Sequence, residues 1–376
     1  MSTERLAVAV TGSDGFIGRN LCTRLRERGD VEVVPITRGS TDRDLEAAIA
    51  RAGAVFHLAG VNRTTNPDDF MPGNRDLSAK VASLARTRRG VPVILTSSSQ
   101  AGKPSPYGDS KLAAEEAFLA ALGRDNPDAH VFRLPNVFGK WCRPNYNSAV
   151  ATFCHNIARD LPISIHDPTA PLTLVYVDDV VDAFVALLPG NEARPGDGPY
   201  RDVAPQYRTT VGEMAEAIWG FHRMRRAFEV DRVGGGFLRA LYATYLSYLP
   251  TTDFAYPVVR HDDPRGGFAE MLRTKDSGQV SYFTSAPGVT RGGHYHHTKN
   301  EKFLVVQGRA RFRFRNIATG EAHAIDVSGD APTVVDTVPG WAHDITNTGS
   351  DPLLVLLWAN ENFDRQRPDT IAAPLP

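Results

Sequence analysis

The chain has 376 residues, 42% hydrophobic and 23% charged. It is too long for one average core, so two domains of ordinary globular composition are the expectation. A formal charge of −1 supplies no field to hold nucleic acid or an anionic membrane surface. The three cysteines, Cys22, Cys142 and Cys154, all lie in the first half. Their odd number argues against a disulfide framework and for a reducing cytoplasm. No basic region leads into a long apolar stretch at the start, and no apolar run suffices to span a bilayer. A soluble, cytoplasmic protein is expected.

In chain order, the first ~220 residues alternate short apolar runs with helical patterns, the signature of a doubly wound parallel sheet covered by helices. Strand-like runs are Leu6–Val10, Val31–Ile36, Ala54–Leu58, Val91–Leu95, His130–Leu134 and Leu172–Val177. Helix-like segments are Phe16–Arg28, Asp76–Arg88, Tyr107–Leu122, Val180–Leu188 and Val211–Met224. Strands this apolar suit a sheet buried on both faces. From about Ser277 the texture turns to short alternating runs: Val280–Phe283, Lys302–Val306, Arg309–Arg315, Thr333–Val338 and Leu353–Trp358. Gly, Pro and Asn turns separate them, which predicts a small all-β barrel or sandwich. The stretch Val233–Asp263 is the expected transition, placing one domain at 1–245 and another at 255–376.

After the first strand comes Thr11-Gly12-Ser13-Asp14-Gly15-Phe16-Ile17-Gly18. Gly12 permits a tight turn, Gly15 lets the backbone approach a pyrophosphate, and Gly18 lets the helix pack closely on the sheet. Within a βαβ pattern this is a dinucleotide fingerprint. The second strand ends in Thr37-Arg38-Gly39-Ser40, with no acidic residue for the adenosine ribose. Arg38 suits a 2′-phosphate, so NADP(H) is favoured over NAD.

Tyr107 and Lys111 lie one turn apart on a helix, so they share a face. Thr96-Ser97-Ser98-Ser99 places hydroxyls at the C-terminal end of the fourth strand, where an open α/β sheet binds its ligand. A tyrosine near a lysine ammonium can act as acid or base, and a serine can bond a carbonyl oxygen that gains charge. With these motifs in register, the chain resembles the extended short-chain dehydrogenase/reductases over about residues 5–225. His57-Leu58-Ala59-Gly60, Arg133 to Gly139 and Val175 to Asp179 also carry the resemblance. It implies Tyr107 as proton donor or acceptor and Lys111 as the residue that binds the nicotinamide ribose and tunes Tyr107. The hydroxyl partner is Ser99, with Ser98 as the alternative. Leu58, Ala59 and Gly60 line the cofactor, and Asn136 faces a nucleotide-sugar substrate.

Between Gly288 and Gly308, His294 and His296 alternate along a strand, Glu301 follows a turn, and a later segment adds His343. Three imidazoles and a carboxylate suit zinc, iron, manganese, nickel or copper, zinc being the redox-inert choice. The spacing resembles the two cupin motifs, the second with Pro339 and Gly340 adjacent where one residue usually intervenes. A metal-free cupin using histidine as a base is the alternative, and His297 could replace His296 as ligand. Tyr295, His297 and Lys302 neighbour the motif, but none is singled out as the proton-transferring base.

A doubly wound reductase joined to a cupin resembles a family of bacterial capsular-polysaccharide enzymes. Gly139 to Ser148 and His294 to Phe303 are its most specific strings. The resemblance implies C3 epimerisation of a UDP-linked 4-keto-6-deoxy-N-acetylhexosamine in the cupin, then NADPH-dependent reduction at C4. It also implies a homodimer.

Overall fold

Strand Leu6–Thr11 is apolar at every position but the last, and it runs straight into the glycine turn. Its side chains alternate between two cores, which makes a sheet covered on both faces unavoidable. Val8 and Val10 pack with Leu21, Leu25, Val180 and Phe184 on one face. Ala9 joins Leu45, Ile49, Val81 and Phe118 on the other. In the computed structural model the described residues are all except 1–4, 192–197, 254–258, 297, 298, 300, 318, 319, 338–340 and 367. Among them, no helix is long and apolar enough to cross a membrane.

The chain divides into two compact units, Met1–Ile218 with Arg239–Leu249, and Trp219–Leu238 with Pro250–Pro376. A single cut at 245–255 does not describe this division, because residues 219–238 cluster with the second unit and helix Gly236–Leu246 lies largely in the first.

In the first unit six parallel strands are ordered Val31–Ile36, Leu6–Thr11, Ala54–His57, Val93–Ser98, Ala129–Leu134 and Tyr200–Arg201. The order reverses between Leu6–Thr11 and Ala54–His57, so their C-terminal ends flank a crevice suited to a ligand. Helices Phe16–Arg26 and Val177–Val185 cover one face, and Asp42–Arg51, Leu77–Ala85 and Pro106–Leu122 the other. The run expected as a sixth main-sheet strand, Leu172–Val177, instead gives strand Pro171–Tyr176, in a separate sheet with Asn136–Phe138 and Gln206–Thr210. Its first three residues are exposed or half-buried, which does not fit a strand covered on both faces.

The second unit packs two sheets face to face. One is ordered Glu229–Val230, Gly266–Thr274, Gln279–Ser285, Leu353–Ala359, Glu301–Gln307 and Val334–Asp336, with Arg260–Asp263 beside the second strand. The other is ordered Ala322–Ser328, Arg309–Asn316, Trp341–Asn347, Thr290–Tyr295 and Ile371–Ala372. Phe283, Phe303, Val305 and Val355 from the first meet Phe312, Phe314, Val327 and Ile345 from the second. The alternating inward residues of a small barrel fill its interior in this way.

Candidate active sites

Each unit presents one cluster of chemically competent side chains, and the elements that place them differ. In the first unit the glycine turn opens helix Phe16–Arg26, whose N-cap Gly15 is extended and offers no side-chain cap. The helix therefore starts with free amide donors and the positive end of its dipole, a ready anion site. The turn has no room for larger residues. Gly12 has φ +67°, and a β-carbon on Gly18 would fall 2.1 Å from the Gly12 carbonyl oxygen.

Opposite the turn, the floor is set by a chain of neutral hydrogen bonds. Ala59 N–H donates to Thr11 Oγ1 (3.2 Å), the Thr11 hydroxyl lies 2.7 Å from His57 Nδ1, and His57 Nε2 lies 3.0 Å from Ser78 Oγ. Thr11 and Ser78 thus hold the two ring nitrogens of His57 from opposite sides. Burial and the nearby Lys111 ammonium hold the His57 imidazole down to about 3, so it is neutral. Arg38 is exposed in the turn after the second strand and forms no ion pair with a described residue. Leu58, Ala59 and Gly60 follow the third strand, on the other side of the crevice.

Ser105 caps helix Pro106–Leu122 by accepting from the Gly108 amide, and Pro106 starts it. Tyr107 stands at its exposed end and Lys111 is buried one turn further. Lys111 Nζ donates to the Thr96 carbonyl (2.7 Å), which ties this helix to the fourth strand. Burial holds the ammonium down to about 8, against the raising influence of Glu115. Burial also pushes the Tyr107 hydroxyl above its ordinary range, opposed by a hydrogen bond with Ser98. The expected lowering of Tyr107 by Lys111 is not found here: burial dominates, and the opposing influence comes from Ser98.

The serine run sorts by burial. Ser98 is buried and hydrogen-bonded to Tyr107, whereas Ser99 is exposed beyond the end of the strand. Of the two alternatives, Ser98 is thus the hydroxyl that the strand turns toward Tyr107. Ser97, on the alternate face, bonds Glu115. Asn136 opens the short strand after Leu134 and is exposed at that same end of the sheet.

Two residues outside the sequence-level expectation complete this centre. Asn74 is buried on a π-helical turn, Met71–Asp76. It accepts from Val61 N–H (2.9 Å) and donates to Val61 O (3.0 Å) and Ser110 Oγ (2.9 Å). Ser110 in turn donates to the Tyr107 carbonyl (2.8 Å). Glu115 is fully buried on the Tyr107/Lys111 helix and takes Arg133 by a fork at 2.6 Å and 3.0 Å. Ser97 and Arg133 are neighbours across the fourth and fifth strands, so Glu115 pins the helix to both.

In the barrel, His294, His296, Glu301 and His343 offer ligand atoms within 4.8 Å of one another. His294 and His343 face each other across adjacent strands, His296 follows the end of the first, and Glu301 starts a strand of the opposite sheet. His297, the alternative ligand, and the Pro339-Gly340 turn lie outside the described residues. His296 Nδ1 lies 2.6 Å from the Asp369 carbonyl, and His343 Nδ1 lies 3.3 Å from that of Trp341. A carbonyl can only accept, so both rings carry a proton on Nδ1 and turn Nε2 toward Glu301. Those nitrogens stand 3.2 Å and 3.5 Å from Glu301 Oε2. Backbone carbonyls behind the rings are the usual orienting partners of metal-binding histidines. Burial, then the other two imidazoles, holds His294 down to about 4. Burial raises the Glu301 carboxyl, but hydrogen bonding and charge from His296 and His343 prevail and hold it to about 2. Three imidazoles and an ionised carboxylate converging within 4.8 Å are a donor set that fits a divalent ion.

Comparison with known proteins agrees with this two-part arrangement. Residues 8–200 match the NAD dependent epimerase/dehydratase family, and residues 261–371 match the polysaccharide biosynthesis C-terminal domain. The chain is 54% identical over 369 residues to the UDP-2-acetamido-2,6-beta-L-arabino-hexul-4-ose reductase of Pseudomonas aeruginosa, covering 98% of each protein. The structure of the capsular polysaccharide assembling protein CapF from Staphylococcus aureus superposes with a TM-score of 0.89 at 39% identity, over 98% of this chain and 100% of that one. A UDP-glucose 4-epimerase from Thermus thermophilus, in complex with NAD, shares the fold alone over 64% of this chain and 98% of its own, at 20% identity and a TM-score of 0.52. The α/β sheet followed by a cupin-like barrel is thus a shared architecture, and the chain belongs to the NAD dependent epimerase/dehydratase family, among the members that end in a polysaccharide biosynthesis C-terminal domain.

Proposed function

We propose that the chain performs two consecutive steps on one UDP-linked 4-keto-6-deoxy-N-acetylhexosamine. The barrel inverts C3, and the α/β unit reduces the C4 ketone with NADPH, serving the synthesis of cell-surface polysaccharide precursors. The observation that carries this reading is the presence, in one chain, of a tyrosine–lysine–serine centre beside a dinucleotide turn and of a three-histidine, one-carboxylate cluster. Near-full-length identity of 54% to a protein named as a hexul-4-ose reductase supports the substrate class.

For reduction, the glycine turn and the uncapped helix receive the cofactor pyrophosphate, and Arg38 is placed to pair with a 2′-phosphate, which favours NADPH over NADH. Bound there, NADPH supplies the hydride that C4 accepts. As the carbonyl bond opens, the C4 oxygen gains an electron pair and takes a proton from the Tyr107 hydroxyl. The upward displacement of Tyr107 suits this direction, because a proton donor must be protonated at neutral pH. Ser98 donates a hydrogen bond to the same oxygen as charge develops. Lys111, Asn74 and Glu115 hold the helix and loop that aim these groups.

For inversion, the C4 ketone acidifies the C3 proton, so removal and return on the opposite face change the configuration. His294, His296, Glu301 and His343 would hold a divalent ion, zinc by the donor set, which when bound would stabilise a neighbouring oxyanion as a Lewis acid. Reduction then removes the activating ketone and traps the new configuration.

Incubation of UDP-2-acetamido-2,6-dideoxy-4-hexulose in D2O without NADPH tests the first step. Deuterium is expected at C3, and its absence in zinc-replete protein would refute the epimerase half. Adding NADPH is expected to yield a 6-deoxytalose product, and no NADPH oxidation would refute the reductase half.

A further inference from the structure

The barrel cluster leans on a segment far along the chain. The buried His296 ring bonds through Nδ1 to the carbonyl of Asp369, 73 residues further on. Asp369 sits at φ +35°, in the left-handed region, where the chain bends before running on as strand Ile371–Ala372. That strand pairs antiparallel with His294 and Tyr295, and Ala373 N–H donates to the Gly293 carbonyl (2.8 Å). One short stretch therefore touches two of the four cluster residues, His296 through its side chain and His294 through its backbone.

Lys299, between His296 and Glu301 in sequence, fastens that stretch. It is buried, its Nζ donates to the Pro368 carbonyl (3.0 Å) and to Thr370 Oγ1 (3.1 Å), and its backbone N–H donates to Asp369 Oδ2 (2.9 Å). The Thr370 hydroxyl donates in turn to the Pro368 carbonyl (2.8 Å). Beyond the strand, Arg313 donates to the Pro376 carbonyl (2.6 Å) and forks Asp344, the neighbour of His343. Burying an ammonium is costly, but its bonds to oxygen are stronger than those of a neutral donor. A surface loop needs no such clip; the group it fixes is the His296 ring. We propose that Lys299 is a positioning residue for the metal ligand His296. It clips Pro368–Thr370 in place, and the Asp369 carbonyl then sets the rotation of the ring that aims Nε2 into the cluster. This rests on the reading that the cluster holds a divalent ion.

The test is zinc affinity, measured by competition with a chromogenic chelator on the intact chain, in wild type, Lys299→Met, Thr370→Val, Asp369→Ala and Asp369→Asn. Losing the orienting partner of a ligand should raise the zinc dissociation constant about 10- to 100-fold in Lys299→Met and Asp369→Ala. Thr370→Val keeps the volume and removes one bond, so a rise of about five-fold is expected. Asp369→Asn keeps an acceptor for the Lys299 amide and a residue at ease in the left-handed region, so it should stay within about two-fold of wild type. Cobalt in place of zinc reports the ligand geometry directly. Its visible absorption should change in Lys299→Met and Asp369→Ala and be recovered in Asp369→Asn. If Lys299→Met does not fold, Thr370→Val carries the same comparison. Metal-free Thr370→Val should melt where metal-free wild type does, and a fall in its melting temperature would assign the loss to the fold and overturn the positioning role. Wild-type zinc affinity in both Lys299→Met and Thr370→Val, or equal losses in Asp369→Asn and Asp369→Ala, would also overturn it. A wild type that binds no zinc would instead overturn the metal reading beneath it.

Discussion

The two sites carry opposite deficits. The α/β unit presents donors and positive charge: the uncapped start of a helix at Gly15, an exposed Arg38 and the Lys111 ammonium. The barrel presents imidazole and carboxylate groups, with His296 and His343 turned by backbone carbonyls toward Glu301. The first gathers an anion mostly through main-chain geometry, which is why a side chain at Gly18 is sterically forbidden. The second would gather a cation through side-chain atoms from separated strands, so its backbone is free but its charges are not. Damage to one should therefore look steric or acid–base, and damage to the other should look like lost metal.

The sharpest separation is expected from Tyr107→Phe. Reduction should fall roughly 10³-fold, since the proton donor is gone, while deuterium incorporation at C3 continues. Loss of both activities would show that the sites are not independent. The mirror variant is Glu301→Gln, which keeps the shape and removes the charge. Zinc content measured by mass spectrometry should fall with an affinity loss of about 100-fold, C3 exchange should disappear, and reduction of the pre-epimerised ketose should persist. Retained zinc would break the contrast from the barrel's side.

Within the reduction centre, Ser98→Ala should lower kcat by about 10²-fold, the scale of one lost oxyanion donor, whereas Ser99→Ala should leave it nearly unchanged. Equal effects would contradict the sorting of the two hydroxyls by burial. Arg38→Ala should raise the KM for NADPH by about ten-fold and leave that for NADH where it was.

The smallest effect is a movement in pH. Lys111 is held down to about 8, so its ammonium is complete below that value and lost as pH rises through it. Reduction should decline correspondingly above about pH 8. Burial sets this value, opposed by the Glu115 carboxylate, which has Arg133 and Tyr200 on its far side. Removing the negative charge by Glu115→Gln should move the decline to lower pH, because a lysine without its carboxylate gives up its proton more readily. A fixed decline would leave Glu115 as a mechanical pin only.

Much of this was legible before any coordinates, for identifiable physical reasons. Gly12, Gly15 and Gly18 fall at three-residue intervals in one short turn, and Tyr107 and Lys111 share one helical turn, so spacing alone places each set together. His294 and His343 were expected to converge, and they do so across adjacent strands. Asn74 was invisible because it sits on a π-turn that breaks the 3.6-residue period, behind a Pro72-Gly73 pair that reads as a loop. Ser98 and Ser99 could not be separated because adjacent identical residues differ only in which face they take, and that depends on where the strand ends. Glu115 was in principle readable as the third member of the row Tyr107, Lys111, Glu115. Its partners Ser97 and Arg133 come from two other strands, which spacing does not reveal. The second unit's inclusion of residues 219–238 was hidden for the same reason, since local pattern says nothing about which core a segment joins.

The neutral chain from Ala59 through Thr11 and His57 to Ser78 has one further implication. A fastener made of ionised groups would loosen or tighten with every change in acidity. An imidazole that ionises only near 3 is silent throughout the physiological range, so the third-strand loop keeps its shape while the nearby Lys111 changes charge. Histidine here acts as a rigid two-ended spacer, and the centre's response to pH is left to the lysine.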